Sequence, residues 1–384
     1  MRRVLLLSLA LGCMVMAAYA GPQVITGAEQ VDLYLPQLKE KRIALVANQT
    51  STINAVHLVD TLLGHGITLQ KLFAPEHGFR GNVDAGQHIA DTVDKRTHLS
   101  IISLYQKNKK IMQAMLADVD CVVFDIQDVG VRFFTYISTL HEVMEACAIA
   151  SKPFILLDRP NPHAGYIDGP VLDKEFQSFV GMHPIPIVYG LTIGELALMI
   201  NGEGWLGDGL QCNLTVIPLK HYTHQTPYSL PINPSPNLPN DQAIALYPCL
   251  GLFEGTIVSM GRGTAFPFQV IGYPDARWGS FTFTPVGIPG KAATPKYQDK
   301  TCFGRDVRSV PPVRLIRLDY LLQSYKLATE QGLNFFEASF DAHAGTKLLR
   351  QQIQAGWSEE SIRASWQNEL DNYKKLRKKY LLYP

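Results

Sequence analysis

Short, uninterrupted apolar runs alternating with helical periods constrain this chain more than any other feature. Arg42-Ile43-Ala44-Leu45-Val46-Ala47 reads as a buried strand, with a helix after it over 56–63. Leu69 to Ala74, Leu99 to Leu104, Cys121 to Ile126, Pro153 to Asp158 and Leu214 to Leu219 read as further strands. Helices fall between them, one through Ile111, Met112, Met115 and Leu116 and one over 138–150. Strands that lack polar alternation are covered on both faces, as in a parallel sheet with helices on each side. The pattern predicts an α/β fold whose N-terminal part is a Rossmann-like parallel-sheet domain.

After Leu219 the alternation stops. Pro227, Pro231, Pro234, Pro236 and Pro239 make a stiff, extended connector. From there to Pro311 the chain is rich in glycine, proline and aromatics, with short β-like pieces. Helix then returns, with Ser358 capping a segment through Trp366, Leu370, Tyr373, Leu376 and Tyr380. At roughly 100–200 residues per domain, 384 residues suit two domains. We expect 21–222 to be the Rossmann-like domain and 223–384 a smaller α+β domain.

Residues 1–20 are a different object. Met1-Arg2-Arg3 opens a mostly apolar run to Val15, and Ala18-Tyr19-Ala20 is a small-x-small cleavage pattern, so this stretch reads as a secretory signal peptide. The apolar run is shorter than the ~20 residues that span a bilayer. Ala10-Leu11-Gly12-Cys13 partly matches a lipobox, but apolar residues continue past Cys13. The expectation is an exported protein, periplasmic or secreted, without stable membrane insertion. With 35 basic and 34 acidic residues the chain shows no polyanion-binding face, so nucleic acid is not an expected partner. Cys121 and Cys147 lie in apolar contexts that suit buried thiols, whereas one disulfide among Cys212, Cys249 and Cys302 stays open.

In open α/β sheets, ligands bind beyond the carboxyl ends of the strands. The loops expected there are polar: Asn48 after the first strand, and Glu76, His77 and Arg80 after the second. Asp125, Gln127 and Arg132 follow at the fourth, Arg159 and Asn161 at the fifth. Acids, amides and arginines along one edge suit a polyhydroxylated or anionic ligand. Glu76, between Pro75 and His77 in a stretch with two glycines, is the candidate general acid. Farther on, Glu254 and Gly261-Arg262-Gly263 belong to a Gly-opened element, and the guanidinium fork of Arg262 suits a carboxylate.

Other signals carry less. Gly202 to Gly207 matches G-x-G-x-x-G but follows a helix, so no dinucleotide site is expected. Thr192 and Glu195 fit a capping box. His141 and Glu145 share a helical face, yet H-E-x-x-H is absent, and no metal or cofactor is implied.

Ala74-Pro75-Glu76-His77-Gly78-Phe79-Arg80-Gly81, Phe124 to Tyr136, Leu157 to Pro162, Gly190 to Ala197, Pro234-Ser235-Pro236-Asn237-Leu238-Pro239 and Gly261-Arg262-Gly263-Thr264 occur in order. Together they resemble the NamZ-type exo-β-N-acetylmuramidases of bacteria, from about residue 25 to Pro384. The resemblance implies a glycoside hydrolase of cell-wall recycling. Such an enzyme releases terminal β-linked N-acetylmuramic acid from peptidoglycan fragments, in a cleft between a Rossmann-like and a smaller domain. It matches Glu76 to the proposed catalytic glutamate. A second family carboxylate, in a Glu-Gly-Pro step, corresponds here to Asp168-Gly169-Pro170, one methylene shorter. Asn237 joins the candidate substrate-binding residues on its motif, and Arg262, Arg159 and Arg80 are candidates for the lactyl carboxylate. Retaining, inverting and acetamido-assisted chemistry all stay open. The competing reading is an exported muropeptide- or amino-sugar-binding protein without turnover.

Overall fold

A computed structural model describes residues 23–76, 78–79, 92–104 and 113–384 of the chain. The leader at 1–20, including Cys13, and the site candidates His77 and Arg80 lie outside the described residues, as does most of the helix expected through Ile111.

Fourteen strands are described: β1 (Arg42–Ala47), β2 (Thr52–Ile53), β3 (Val56–His57), β4 (Thr68–Ala74), β5 (Thr92–Val93), β6 (Ser100–Ser103), β7 (Cys121–Asp125), β8 (Phe154–Leu157), β9 (Asp168–Val171), β10 (Pro186–Val188), β11 (Leu214–Ile217), β12 (Val270–Tyr273), β13 (Phe281–Phe283) and β14 (Cys302–Asp306). The main sheet runs β11-β8-β7-β1-β4-β6-β5. Its first six strands are parallel, and β5 pairs antiparallel with β6 at the edge. The six parallel strands follow the doubly wound order, reversing direction between β1 and β7.

Why these strands are continuously apolar is visible in where their side chains go. Ala44 and Val46 of β1 and Val122 and Phe124 of β7 enter one core, under helices Tyr136–Ile149 and Ile193–Gly202. Ile43, Leu45 and Ala47 with Cys121 and Val123 enter the opposite one, under helices Val31–Leu38 and Leu58–Gly64. Each face is dry, so neither set of alternating positions can be polar.

The first core does not stop at the sheet. It continues through Tyr247, Phe253, Phe268, Phe340, Trp366 and Tyr373, so the C-terminal half is packed onto the N-terminal one. That half contains an antiparallel sheet, β12-β14-β13, and a run of short helices. Ser358 caps helix Glu359–Ser365, which breaks at Trp366 before helix Gln367–Arg377. The structure adds helix Asp241–Leu250 directly after the proline-rich connector, capped by Asn240 through its side chain to Ala243 N–H.

Candidate active site

The loops after β1 and β7 leave the sheet where the strand order reverses, the position at which such sheets form a crevice. Beside it, the turn after β4 presents Glu76. Gly78 N–H donates to Pro75 O at 3.0 Å, and Gly78 takes φ +78°, a left-handed value suited to glycine. Thr135, at the start of helix Tyr136–Ile149, donates Oγ1–H to Glu76 Oε2 at 2.6 Å. The next residue, Tyr136, donates its hydroxyl to Pro234 O at 3.1 Å, and Gln49 Nε2 donates to Asn233 O and Pro234 O. The connector is thus strapped across the carboxyl edge of the sheet.

Glu76 opens onto a cavity of about 110 Å³ that Asn237, Glu254, Arg262, Tyr247 and His343 also line. Its floor is aromatic. Tyr247 meets Phe133, Phe134 and Phe268 edge-on at 5.0–5.9 Å between ring centroids. Arg262 lies over the Phe268 ring at 5.1 Å and donates Nη2–H to Glu254 Oε1 at 3.0 Å. Burial disfavours charge on Glu254, yet Arg262 and His343 hold its carboxyl below the usual range. Arg262 is likewise held charged: burial opposes it most, and Glu254, Tyr247 and Glu76 together outweigh the burial. Tyr247 is raised well above the ordinary phenol value by burial, then by Glu254, so it is a neutral hydroxyl between acids. Among the described residues the arrangement offers two carboxyls, one fixed cation and an apolar floor around one small cavity.

Of the residues singled out in the sequence, this cavity brings together Glu76, Asn237, Glu254 and Arg262. Six others do not line this cavity, and most of their polar groups are bonded inside the protein. Asn48 is fully buried, its Oδ1 accepting from Thr50 N–H and Oγ1–H. Asp125 and Arg159 form a sealed two-pronged pair, at 2.5 and 2.8 Å, with 0% and 4% of their side chains exposed. Gln127 donates to Asp128 O and Pro160 O, and Asn161 donates to Leu191 O while accepting from His163 N–H. Arg132 gives its guanidinium to four carbonyls, those of Pro170, Ile185, His343 and Ala344, and burial pushes its pKa down to about 9. Buried polar groups are mostly paired, and these loops largely pair with one another, with Asn48 Nδ2 and Arg132 Nε making no hydrogen bond among the described residues.

Asp168 lies elsewhere in the described structure. It sits on β9, buried, and accepts from Gly169 N–H through Oδ1 and from Ile316 N–H and Arg363 through Oδ2 at 2.7 and 2.8 Å. It does not line the cavity with Glu76. Its shorter side chain clamps β9 to the C-terminal helices. Conversely, Tyr247 and His343 carried no local signal, because they come from helices far along the chain.

A larger cavity, about 560 Å³, lies between the connector and Arg314. Among its described lining residues the one carboxylate, Asp241, is taken up by the Ser229 hydroxyl. The capping box at Thr192 and Glu195 is present, with Glu195 also bonded to His224 at 2.9 Å. His141 meets His183 at 3.0 Å, and among the described residues no cluster of three or more His, Cys, Asp or Glu is arranged to hold a metal. All five described cysteines are buried and free, Cys212, Cys249 and Cys302 included. No described helix is long and apolar enough to cross a membrane.

Residues 43–242 match the N-terminal family model of exo-β-N-acetylmuramidase NamZ, and residues 245–383 match its C-terminal model. Peptidoglycan β-N-acetylmuramidase NamZ of Bacillus subtilis (strain 168) is 39% identical, covering 94% of this chain and 92% of its own. Two crystal structures of DUF1343 family proteins from Bacteroides fragilis NCTC 9343 superpose on it. One is 45% identical with a TM-score of 0.86, the other 30% identical with a TM-score of 0.80. Each covers 94% of this chain, and the matches span 99% and 100% of the solved ones. The chain belongs to the NamZ exo-β-N-acetylmuramidase family, and it is a glycosidase.

Proposed function

We propose that this enzyme releases single N-acetylmuramic acid residues from the non-reducing ends of peptidoglycan fragments such as N-acetylmuramyl-N-acetylglucosamine. In this reading Glu76 is the general acid. The observation that carries it is the placing of Glu76 and Arg262 on one small cavity at the sheet edge. A small cavity suits the single terminal sugar that exo cleavage engages. N-acetylmuramic acid differs from N-acetylglucosamine by a lactyl carboxylate, and among the described residues Arg262 is the arginine lining this space that matches it. Arg159, saturated by Asp125, is not available for that task. A leader cleaved after Ala20 would place the enzyme outside the cytoplasm, with its substrate.

Chemically, Glu76 gives its proton to the glycosidic oxygen as the C1–O bond breaks. Thr135, bonded to Oε2, fixes the carboxyl plane while this happens. The test is hydrolysis of 4-nitrophenyl β-N-acetylmuraminide beside the matching N-acetylglucosaminide, and of the natural disaccharide. We expect release from the muraminide alone. Glu76→Gln, isosteric but unable to donate that proton, should lower disaccharide turnover by about 10²–10⁴-fold. Equal cleavage of both aryl sugars would refute the role given to Arg262, and an active Glu76→Gln would refute the acid.

A further inference from the structure

We infer that Glu254 is the second catalytic carboxylate, the fixed anion that works with Glu76, a role the family pattern alone would give to position 168. This rests on the glycosidase reading above. Glycosidases of this kind need two carboxyls in opposite protonation states, and the states are set by surroundings. Among the described residues lining the cavity, the acids are Glu76 and Glu254. Asp168 is consumed by two backbone N–H groups and Arg363. Asp128, another acid near this edge, is buried against the Tyr189 hydroxyl and Gly130 N–H and does not reach the cavity.

Glu254 is built to stay in place. It belongs to the tight turn Gly251–Gly255, whose end glycines pack so closely that an added Cβ at Gly251 would lie 2.3 Å from the Phe133 ring. One at Gly255 would lie 2.4 Å from Phe340 Cα. Arg262 holds Oε1, and among the described residues Oε2 takes no hydrogen bond. Its side chain is 24% exposed, so the carboxylate is shielded but reachable. A carboxylate bound to a guanidinium is a poor proton acceptor and a persistent anion. Its task is therefore electrostatic.

The step balances with water as the only co-reactant. Glu76 protonates the leaving oxygen, which departs with the electron pair of the C1–O bond. The ring is left with the positive charge, and Glu254 faces that charge without bonding to C1. A water then forms the new C1–O bond, and the proton it releases restores Glu76. Arg262, bonded to Glu254 on one side, meets the lactyl carboxylate on the other, which couples recognition of the sugar to orientation of the anion.

The experiment compares the full chain with Glu254→Gln and Glu254→Ala on the aryl muraminide and the disaccharide, with N-acetylmuramic acid binding and melting temperature as checks of folding. We expect kcat to fall by about 10²–10³-fold on both substrates with KM changed only a few-fold. Formate should restore Glu254→Ala at least tenfold by supplying the missing anion. A raised KM with kcat within threefold would leave Glu254 as a positioning partner of Arg262 and overturn the inference. Should Glu254→Ala not fold, Glu254→Gln decides on the same kcat criterion. A wild-type protein that binds the sugar without turnover would overturn the glycosidase reading itself.

Discussion

Thr135 stands at the N-cap of helix Tyr136–Ile149, where a threonine hydroxyl ordinarily accepts a bond from the helix backbone, yet it makes no such bond. Its hydroxyl is given to Glu76 instead. Thr135→Ala should therefore lower kcat/KM about 10–100-fold by releasing the acid from its orientation. The stability loss should be smaller than the ~1 kcal/mol of a true cap. Thr135→Ser keeps the donor and should restore most of the rate. Denaturant melts beside steady-state kinetics check both halves; a stability loss with unchanged kinetics would return Thr135 to an ordinary cap. At this scale residue type and loop position do not separate ligand groups from structural ones. Asp125, Arg159, Gln127 and Asn161 have the residue types and loop positions of ligand groups. The structure spends them on each other and on backbone carbonyls, because loops buried between two halves must satisfy their own polar atoms.

Among elements, the parallel strands were the legible part, since β1 and β7 bury alternate residues in two different cores and so had to be apolar throughout. Helix Asp241–Leu250 was not legible: it begins right after a proline run and contains Pro248. The turn carrying Arg262 was legible through its glycines. Gly261 and Gly263 both take φ +81°, and a Cβ on Gly263 would lie 2.6 Å from Val286 O and from Pro295 Cγ. The turn lifts Arg262 toward Glu254 because both flanking residues adopt a left-handed backbone. Gly263→Ala should weaken N-acetylmuramic acid binding at least tenfold by shifting that arginine. Gly332, with φ +67° and nothing within 4 Å of an added Cβ, is the control. Gly332→Ala carries the backbone strain, about 1 kcal/mol, without touching the site. Calorimetric titration of both variants separates the two effects, and equal affinities would mean that the turn does not position Arg262.

For the whole molecule, what matters is how firmly the two halves are held around the cavity, and part of that hold lies at Leu382–Pro384. Leu382 N–H donates to Glu195 Oε1 at 2.8 Å, Tyr383 donates its hydroxyl to Asp158 Oδ2 at 2.6 Å, and His224 N–H donates to a Pro384 oxygen at 2.9 Å. Asp158 also accepts from Thr192 Oγ1–H and Gly194 N–H, so it joins this clasp to helix Ile193–Gly202. Burial raises Asp158 to about 7 against those donors, and burial raises Asp128 to about 6. An unfolded aspartate titrates near 3.9. Between roughly pH 4 and 7 the folded chain thus holds a proton on Asp158 that the unfolded chain has released. The stability this contributes is fully present below about pH 4 and is lost as pH rises through about 7. Asp158→Asn stays neutral and keeps an acceptor for the clasp, so it should escape that loss. Its melting temperature relative to the wild type should climb steadily from pH 4.5 to 7.5, a trend that scanning calorimetry reads directly. Carboxylates held low, such as Glu254, run the other way and are common to both proteins, so they cancel in the difference. A constant difference across that range would mean that Asp158 carries its charge in the fold. The clasp would then be an ionic one, resisting alkali instead of yielding to it.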